Sequence, residues 1–150
     1  MAETAKPKLL IPVLGRLYGV FAPVTELLIR LIAGGSLAIH GWQILFGNIA
    51  GAARFFETVG FENGVFWAWV VGILELVCGI CLALGLLTRL VAVPIIAFLI
   101  TAIVTYHLEN GYNWESRGIE FPLFWAIVVF HFLIRGGGAW SLDRRIGREI

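Results

Sequence analysis

The chain has 150 residues, of which 59% are hydrophobic and only 14% are charged. Soluble domains carry about 25% charged residues, so a soluble fold of this length could not hide so much apolar surface from water. The net charge of +1 and the lack of a dense basic patch give no case for nucleic-acid binding. The composition predicts a single membrane domain, residues 1–150, in contact with the lipid bilayer.

The first apolar stretch, residues 9 to 22, is short and is followed by Pro23. We expect an N-terminal interfacial helix that stops at Pro23. A cleaved signal peptide is not expected, because Pro12 and Arg16 interrupt the apolar run and no A-x-A site follows. Four longer hydrophobic stretches follow, each near the ~20 residues that a bilayer requires. They predict spans at about 24–46, 65–87, 90–108 and 119–140.

The connections between the spans carry their own signals. Residues 48–63 predict a short amphipathic helix in an outer loop. Thr88 and Arg89 are predicted to form a tight turn, with Thr88 a candidate N-cap for the third span, and Asn110-Gly111 marks another turn. The predicted fold class is an all-α membrane protein, a four-transmembrane-helix bundle with an N-terminal interfacial helix and a short amphipathic outer loop helix.

The distribution of cations predicts the orientation of the bundle, because Lys and Arg are enriched in cytoplasmic loops. Only Arg54 and Arg117 fall on the side taken as outer. Both termini are therefore predicted to be cytoplasmic. The cations on the predicted inner side are Lys6, Lys8, Arg16, Arg89, Arg135, Arg144, Arg145 and Arg148.

A group of ionisable residues is predicted at one level near the outer side: His40, Glu75, His107 and Glu120. Glu75 shares a helix face with Gly72 and Gly79, and small residues mark helix–helix contacts. Imidazole and carboxylate groups exchange protons near neutral pH, so the group suggests proton handling or a quinone head-group site. The alternative is a set of interhelical hydrogen bonds that fixes helix register. An iron or zinc site is a weaker alternative, because no H-E-x-x-H motif is present.

A second group is predicted at the inner side: Glu26, Arg30, Arg89, Arg135 and Asp143. Glu26 and Arg30 form an i,i+4 pair in the favourable order. Asp143 could meet Arg89 where the C-terminal tail passes the tight turn. We expect these structural ion pairs to latch the bundle, and the alternative is contact with anionic lipid or a partner subunit.

Cys78 and Cys81 form a C-x-x-C spacing inside the second span. Redox pairs of this spacing normally lie at an exposed helix N-terminus, where the thiolate is stabilised. We therefore interpret these cysteines as small apolar residues.

Several short patterns in this order resemble the DoxX family of small bacterial membrane proteins. They are Arg30-Leu31, His40-Gly41-Trp42, Phe55-Phe56 with Gly60, Gly72-Ile-Leu-Glu75-Leu, Gly79, Gly85-Leu-Leu-Thr88-Arg89, Pro94, His107 with Asn110-Gly111, Glu120 and Ser141-Leu142-Asp143. The resemblance covers about residues 24 to 145. It implies a four-helix bundle in the bacterial inner membrane and, for some relatives, a link to a thiosulfate:quinone oxidoreductase.

The leading hypothesis is a membrane subunit of a quinone-linked redox system. Its catalytic candidates are Glu75, His40, His107 and Glu120, and a quinone is the expected cofactor, held by His40, His107 and Glu75. No haem, flavin or iron–sulfur motif is present, so electron carriers would come from other membrane redox subunits. The rival hypothesis is a non-catalytic accessory or scaffold subunit of a larger membrane complex.

Overall fold

The computed structural model describes residues 9–148, and the predicted inner cations Lys6 and Lys8 lie outside this range. The described chain is helical. Its helices are α1 Leu14–Trp42, α2 Ile49–Thr58, α3 Gly64–Leu84, α4 Thr88–Ala102, α5 Glu120–Arg135 and α6 Leu142–Ile146. A π-helical turn, Gln43–Gly47, extends α1, and a second one, Ile103–His107, extends α4 and leads into a 3-10 turn, Leu108–Asn110. Another 3-10 turn, Trp114–Ser116, lies in the loop before α5.

Helix α1 runs without a break through Pro23. The prediction of a separate N-terminal helix that ends at Pro23 is therefore wrong, and the helix that contains the first predicted span begins at Leu14. Proline removes one helix hydrogen bond. Apolar residues continue on both sides of Pro23, and ending the helix there would expose further backbone groups to apolar surroundings. Continuing the helix keeps those groups paired.

Helix α2 confirms a helix in the segment 48–63. The Asn48 side chain caps it by accepting a hydrogen bond from the Gly51 amide at 2.8 Å. The helix packs on the start of α3, where Gly64 lies directly against the Ala53 carbonyl. Its position at the membrane interface stays a prediction.

Three helical segments of the described residues are long and apolar enough to cross a membrane: Leu14–Gly47, Gly64–Leu84 and Thr88–Asn110. Helix α5 has 16 residues and is about 24 Å long, less than the ~30 Å hydrocarbon core. It ends at Arg135, where Gly136 takes a positive φ of 77°, so the predicted continuation of a helix to Trp140 is wrong. A fourth crossing of the membrane stays a prediction.

Glycines bring the backbones of α1 and α3 into close contact. A Cβ atom on Gly34 would lie 2.4 Å from the Ala83 nitrogen, and one on Gly79 would lie 2.6 Å from the Ala38 nitrogen. Both distances are too short for any side chain, so only glycine allows this approach. The prediction that Gly72 and Gly79 share a contact face with Glu75 is confirmed, because all three are buried in α3.

The apolar core joins α1 and α3 to α4 and α5. Its central side chains come from α1, α3, α4 and α5 and include Leu82, Ile95, Val129 and Phe132. The core fixes the positions of α4 and α5. The ends of these two helices, together with α1 and α3, surround the candidate site.

Candidate functional site

Glu75 is a buried carboxyl group in the middle of a very apolar helix. Its side chain is 5% exposed, and its Oε2 atom has no hydrogen-bond partner among the described residues. Native proteins pair nearly all buried polar atoms. A charged carboxylate without a partner is costly in such a site, and ionisable residues inside a membrane most often serve a function.

Two cavities meet at Glu75. The first has a volume of about 590 Å³, lies between α1, α2, α3 and α4, and is lined mostly by apolar and aromatic side chains. The second has a volume of about 550 Å³ and lies between α1, α3, α4 and α5. His40, Glu75 and His107 line both cavities. The structure therefore brings together three of the four residues predicted for the outer group.

The first cavity contains the aromatic residues that sequence reasoning did not assign to the site. They are Phe55, Phe56, Phe61, Trp67, Phe98 and Tyr106. Phe55 and Tyr106 pack edge to face with ring centroids 4.9 Å apart, joining α2 to the end of α4. The adjacent phenylalanines Phe55-Phe56 in an amphipathic segment could have predicted this lining. An amphipathic helix packs its apolar face against other apolar groups, so such rings are expected to face the bundle.

His107 is held by the loop that precedes α5. Its Nδ1 atom lies 2.6 Å from the Arg117 backbone carbonyl. The Arg117 guanidinium donates a hydrogen bond to the Tyr106 hydroxyl at 3.1 Å, and this bond raises the pKa of Arg117. The loop therefore fixes the orientation of the imidazole that faces the cavities.

Glu120, the fourth predicted member, is set apart from the other three. It lines neither of the two cavities. Its Oε2 atom accepts a hydrogen bond from the Trp114 amide at 2.9 Å. Since Glu120 is the first residue of α5, its side chain can turn back to the loop and fix residues 114–120 instead of pointing toward Glu75.

The predicted inner group surrounds Arg30, whose side chain is only 1% exposed. The guanidinium donates hydrogen bonds to three backbone carbonyls: Ala83 at 3.1 Å, Trp140 at 3.0 Å, and Gly137. These carbonyls belong to the end of α3 and to the segment after α5. Arg30 therefore joins α1 to two other parts of the chain through neutral acceptors as well as through its attraction to Asp143 and Glu26.

Asp143 caps the start of α4. Its Oδ1 atom accepts a hydrogen bond from the Leu87 amide at 2.6 Å, and its Oδ2 atom accepts from the amide and hydroxyl of Thr88 at 2.9 and 2.7 Å. Asp143 thus lies at the tight turn and accepts hydrogen bonds from its amides. The predicted contact of Asp143 with Arg89 stays a prediction. The prediction that Thr88 is the N-cap of α4 is wrong, because Leu87 occupies the N-cap position. The capping hydrogen bonds come instead from Asp143, which is distant in sequence.

The remaining inner residues extend this contact. Glu26 forms an ion pair with Arg135 at 3.8 Å, and the Arg89 guanidinium donates to the Ile134 carbonyl at 3.4 Å. The geometry links α1, the end of α5 and the start of α4. We call the five residues Glu26, Arg30, Arg89, Arg135 and Asp143 the inner cluster below.

The two cysteines do not pair with each other. Cys78 and Cys81 are free, half-buried, and packed against the apolar core. Among residues 9–148 no group of three or more histidine, cysteine or carboxylate side chains is placed to hold a metal ion. The iron or zinc alternative therefore gains no support from the described residues.

Comparison with known sequences identifies the family. Residues 25–108 match the family model DoxX. The chain belongs to the DoxX family. The match to DoxX includes Arg30, His40, Glu75 and His107, but it ends before α5 and the Asp143 cap.

Two relatives match over most of their length. The uncharacterized membrane protein Rv3486 of Mycobacterium tuberculosis is 32% identical over 145 residues, which cover 89% of this chain and 88% of the relative. CatD of Bacillus subtilis, provisionally named an oxidoreductase, is 31% identical over 120 residues, 80% of this chain and 85% of the relative. No solved structure matches.

Proposed function

We propose that this DoxX protein is a membrane-embedded subunit of a quinone-linked redox system, with the quinone head group bound beside His40, Glu75 and His107. The observation that carries the proposal is the unpaired Oε2 atom of buried Glu75, at a wall shared by two cavities. Membership of the DoxX family and the name of the CatD relative add support.

The residues around Glu75 fit a quinone by their chemistry. A quinone has a flat apolar ring with polar oxygens at opposite ends. The aromatic lining of the first cavity suits the ring, and ligand cavities of about 300–1,000 Å³ are usual for molecules of this size. The imidazoles of His40 and His107 and the carboxyl of Glu75 suit the oxygens.

A bound quinone would supply two-electron chemistry that is coupled to two protons. The task of the chain is then to hold the ring and move protons. Glu75 is the proposed proton carrier, since its side chain lines both cavities and its Oε2 atom has no hydrogen-bond partner among the described residues. His40 and His107 are the proposed head-group ligands. Electron transfer would fall to a partner subunit, and a thiosulfate-oxidising one is the version that the family resemblance implies.

The proposed setting is the bacterial inner membrane with both termini in the cytoplasm. The C-terminal arginines Arg144, Arg145 and Arg148 are exposed at the same end as Arg135, which is the pattern of a cytoplasmic face. Single cysteines in place of exposed Glu62 and exposed Arg145 test the orientation with an impermeant thiol reagent on intact cells. We expect labelling at position 62 only, and labelling at position 145 alone would reverse the orientation. The unaltered chain, with Cys78 and Cys81, gives the background.

Purification in mild detergent tests the proposed function. We expect a quinone to be extracted with the wild-type protein, and redox subunits to be found with it by mass spectrometry. Glu75→Gln keeps the volume of the side chain but cannot exchange a proton, so it should remain folded and lose quinone-dependent activity in the assembled complex. Glu62→Gln, on an exposed loop, is the matched control.

Two results would contradict this proposal. One is full activity of the Glu75→Gln complex together with no quinone recovered from the wild type. The other is stable assembly with partners that have no redox activity. Either result would favour the accessory or scaffold subunit.

A further inference from the structure

The contact between His107 and the Arg117 carbonyl fixes which ring nitrogen carries hydrogen. A carbonyl oxygen can only accept a hydrogen bond, and it lies 2.6 Å from Nδ1. Nδ1 must therefore be the donor. In a neutral imidazole only one nitrogen carries hydrogen, so Nε2 has a lone pair and no hydrogen.

The backbone sets this arrangement, and a ligand would not easily change it. His107 ends the π-helical turn of α4, and Arg117 precedes α5. The Arg117 backbone is held further by the hydrogen bond from its amide to the Trp114 carbonyl at 2.9 Å. Moving the hydrogen to Nε2 would leave two acceptors facing each other across 2.6 Å, with the bond between them lost.

His107 lines both cavities, and with Nδ1 held by the Arg117 carbonyl, Nε2 is the ring nitrogen that remains for a ligand. As a hydrogen-bond acceptor it attracts a hydroxyl hydrogen and repels a carbonyl oxygen. The oxidised and reduced forms of a quinone differ in this respect, because the quinone offers carbonyl oxygens and the hydroquinone offers hydroxyl groups. Glu75 does not discriminate in the same way, since a carboxyl group can donate or accept.

We infer that the site of this DoxX protein selects the reduced, hydroxyl-bearing form of a quinone, with His107 Nε2 accepting the hydrogen of one phenolic hydroxyl. The inference rests on the proposed function and adds the form of the ligand to it. It assigns His107 the role of a specificity-determining ligand.

The test compares two probes, tetramethyl-hydroquinone and tetramethyl-benzoquinone, on the purified full chain in detergent. Binding is measured without oxygen, through quenching of tryptophan fluorescence, because Trp67 and Trp125 line the two cavities. The hydroquinone gains a hydrogen bond to His107 Nε2, whereas the benzoquinone carbonyl is repelled by it. The hydroquinone should therefore bind about tenfold more tightly.

Two histidine variants show whether His107 causes the preference. Asparagine places its amide nitrogen near the position of Nδ1, so His107→Asn can keep the bond to Arg117 while it removes Nε2. This variant should bind both probes with similar affinity. His131→Asn is the matched control, since His131 is exposed on α5 and lines neither cavity, and it should keep the full preference.

The outcomes separate this inference from the proposed function. Equal affinity for the two probes, or tighter binding of the benzoquinone, would overturn the inference and leave a quinone site in place. A preference that persists in His107→Asn would also overturn it, because another group would then select the ligand. Failure of the wild type to bind either probe would overturn the inference and the proposed function together.

Discussion

The two buried regions with ionisable side chains in this DoxX protein differ in how their polar atoms are paired. At one end, Arg30 and Asp143 are almost fully buried, and hydrogen bonds to three carbonyls, two amides and one hydroxyl surround them. In the middle of α3, Glu75 is buried to a similar degree, yet its Oε2 atom has no hydrogen-bond partner among residues 9–148. Burial alone therefore does not distinguish these two regions, whereas the pairing of their polar atoms does.

This difference predicts opposite responses to substitution, and the largest should come from Arg30→Met. The variant keeps much of the side-chain length but leaves the carbonyls of Ala83, Gly137 and Trp140 without a donor and Asp143 without its nearby cation. Breaking a buried, hydrogen-bonded charge in this way costs about 3–5 kcal/mol. We expect a large loss of thermal stability in detergent. Arg16→Met, at an exposed position of α1, should change it little, and equal effects would show that Arg30 is not structural.

Asp143→Ala should have the next largest effect. It removes the acceptor for the Leu87 and Thr88 amides and the Thr88 hydroxyl, so the start of α4 loses its cap. Because this buried cap accepts its hydrogen bonds through a charged carboxylate, its removal should lower the free energy of unfolding by about 2–3 kcal/mol. Urea or thermal unfolding in detergent measures it. Asp143→Asn keeps one acceptor oxygen and should recover part of the loss, whereas a stability equal to that of Asp143→Ala would mean that charge alone matters.

A smaller effect is expected from Gly79→Ala, which tests the close contact that joins the two regions. The added Cβ would lie 2.6 Å from the Ala38 nitrogen, so α1 and α3 must separate slightly. Overpacking of this kind costs about 1–3 kcal/mol. Gly35→Ala is the same change on α1, where nothing lies within 4 Å of the new atom. It should be neutral or stabilising, and a comparable loss there would remove the evidence for close packing.

The smallest effect on stability should come from Glu75→Gln. No hydrogen bond to Oε2 is lost, so the change should stay within about 1 kcal/mol of the wild type. Thermal unfolding of Glu75→Gln beside Arg30→Met, in the same detergent, measures the contrast directly. A loss of stability as large as that of Arg30→Met would show that Glu75 is structural, like the inner cluster, and would favour the alternative in which it fixes helix register.

The sequence predicted the features that depend on helical periodicity. Hydropathy predicted four spans, and three of them correspond to long apolar helices of the described residues. The shared face of Gly72, Glu75 and Gly79 predicted a close helix contact. Adding depth along each helix predicted that His40, Glu75 and His107 lie at one level. These features follow from the regular rise and rotation of a helix, which any chain must obey.

The features that depend on loops and distant contacts were not predictable in the same way. Glu120 fits the helical pattern of the site, but its side chain turns to Trp114 because the loop places an unpaired amide there. The acceptors of Arg30 are backbone carbonyls, which carry no side-chain signal, and Gly137 is 107 residues away along the chain. Continuity of α1 through Pro23 likewise reflects the surroundings of the helix more than its local propensity.

The long separation between Arg30 and its acceptors also bears on the order of biosynthesis. Ribosomes add about 5–20 residues per second, so Arg30 is made several seconds before the 107 residues to Gly137 are complete. During that interval the guanidinium lacks the carbonyls of Gly137 and Trp140, and α4 lacks its Asp143 cap. The nascent bundle therefore closes at this end only after translation has passed Asp143, and a ribosome stalled before that point would hold an open, incompletely paired helix assembly.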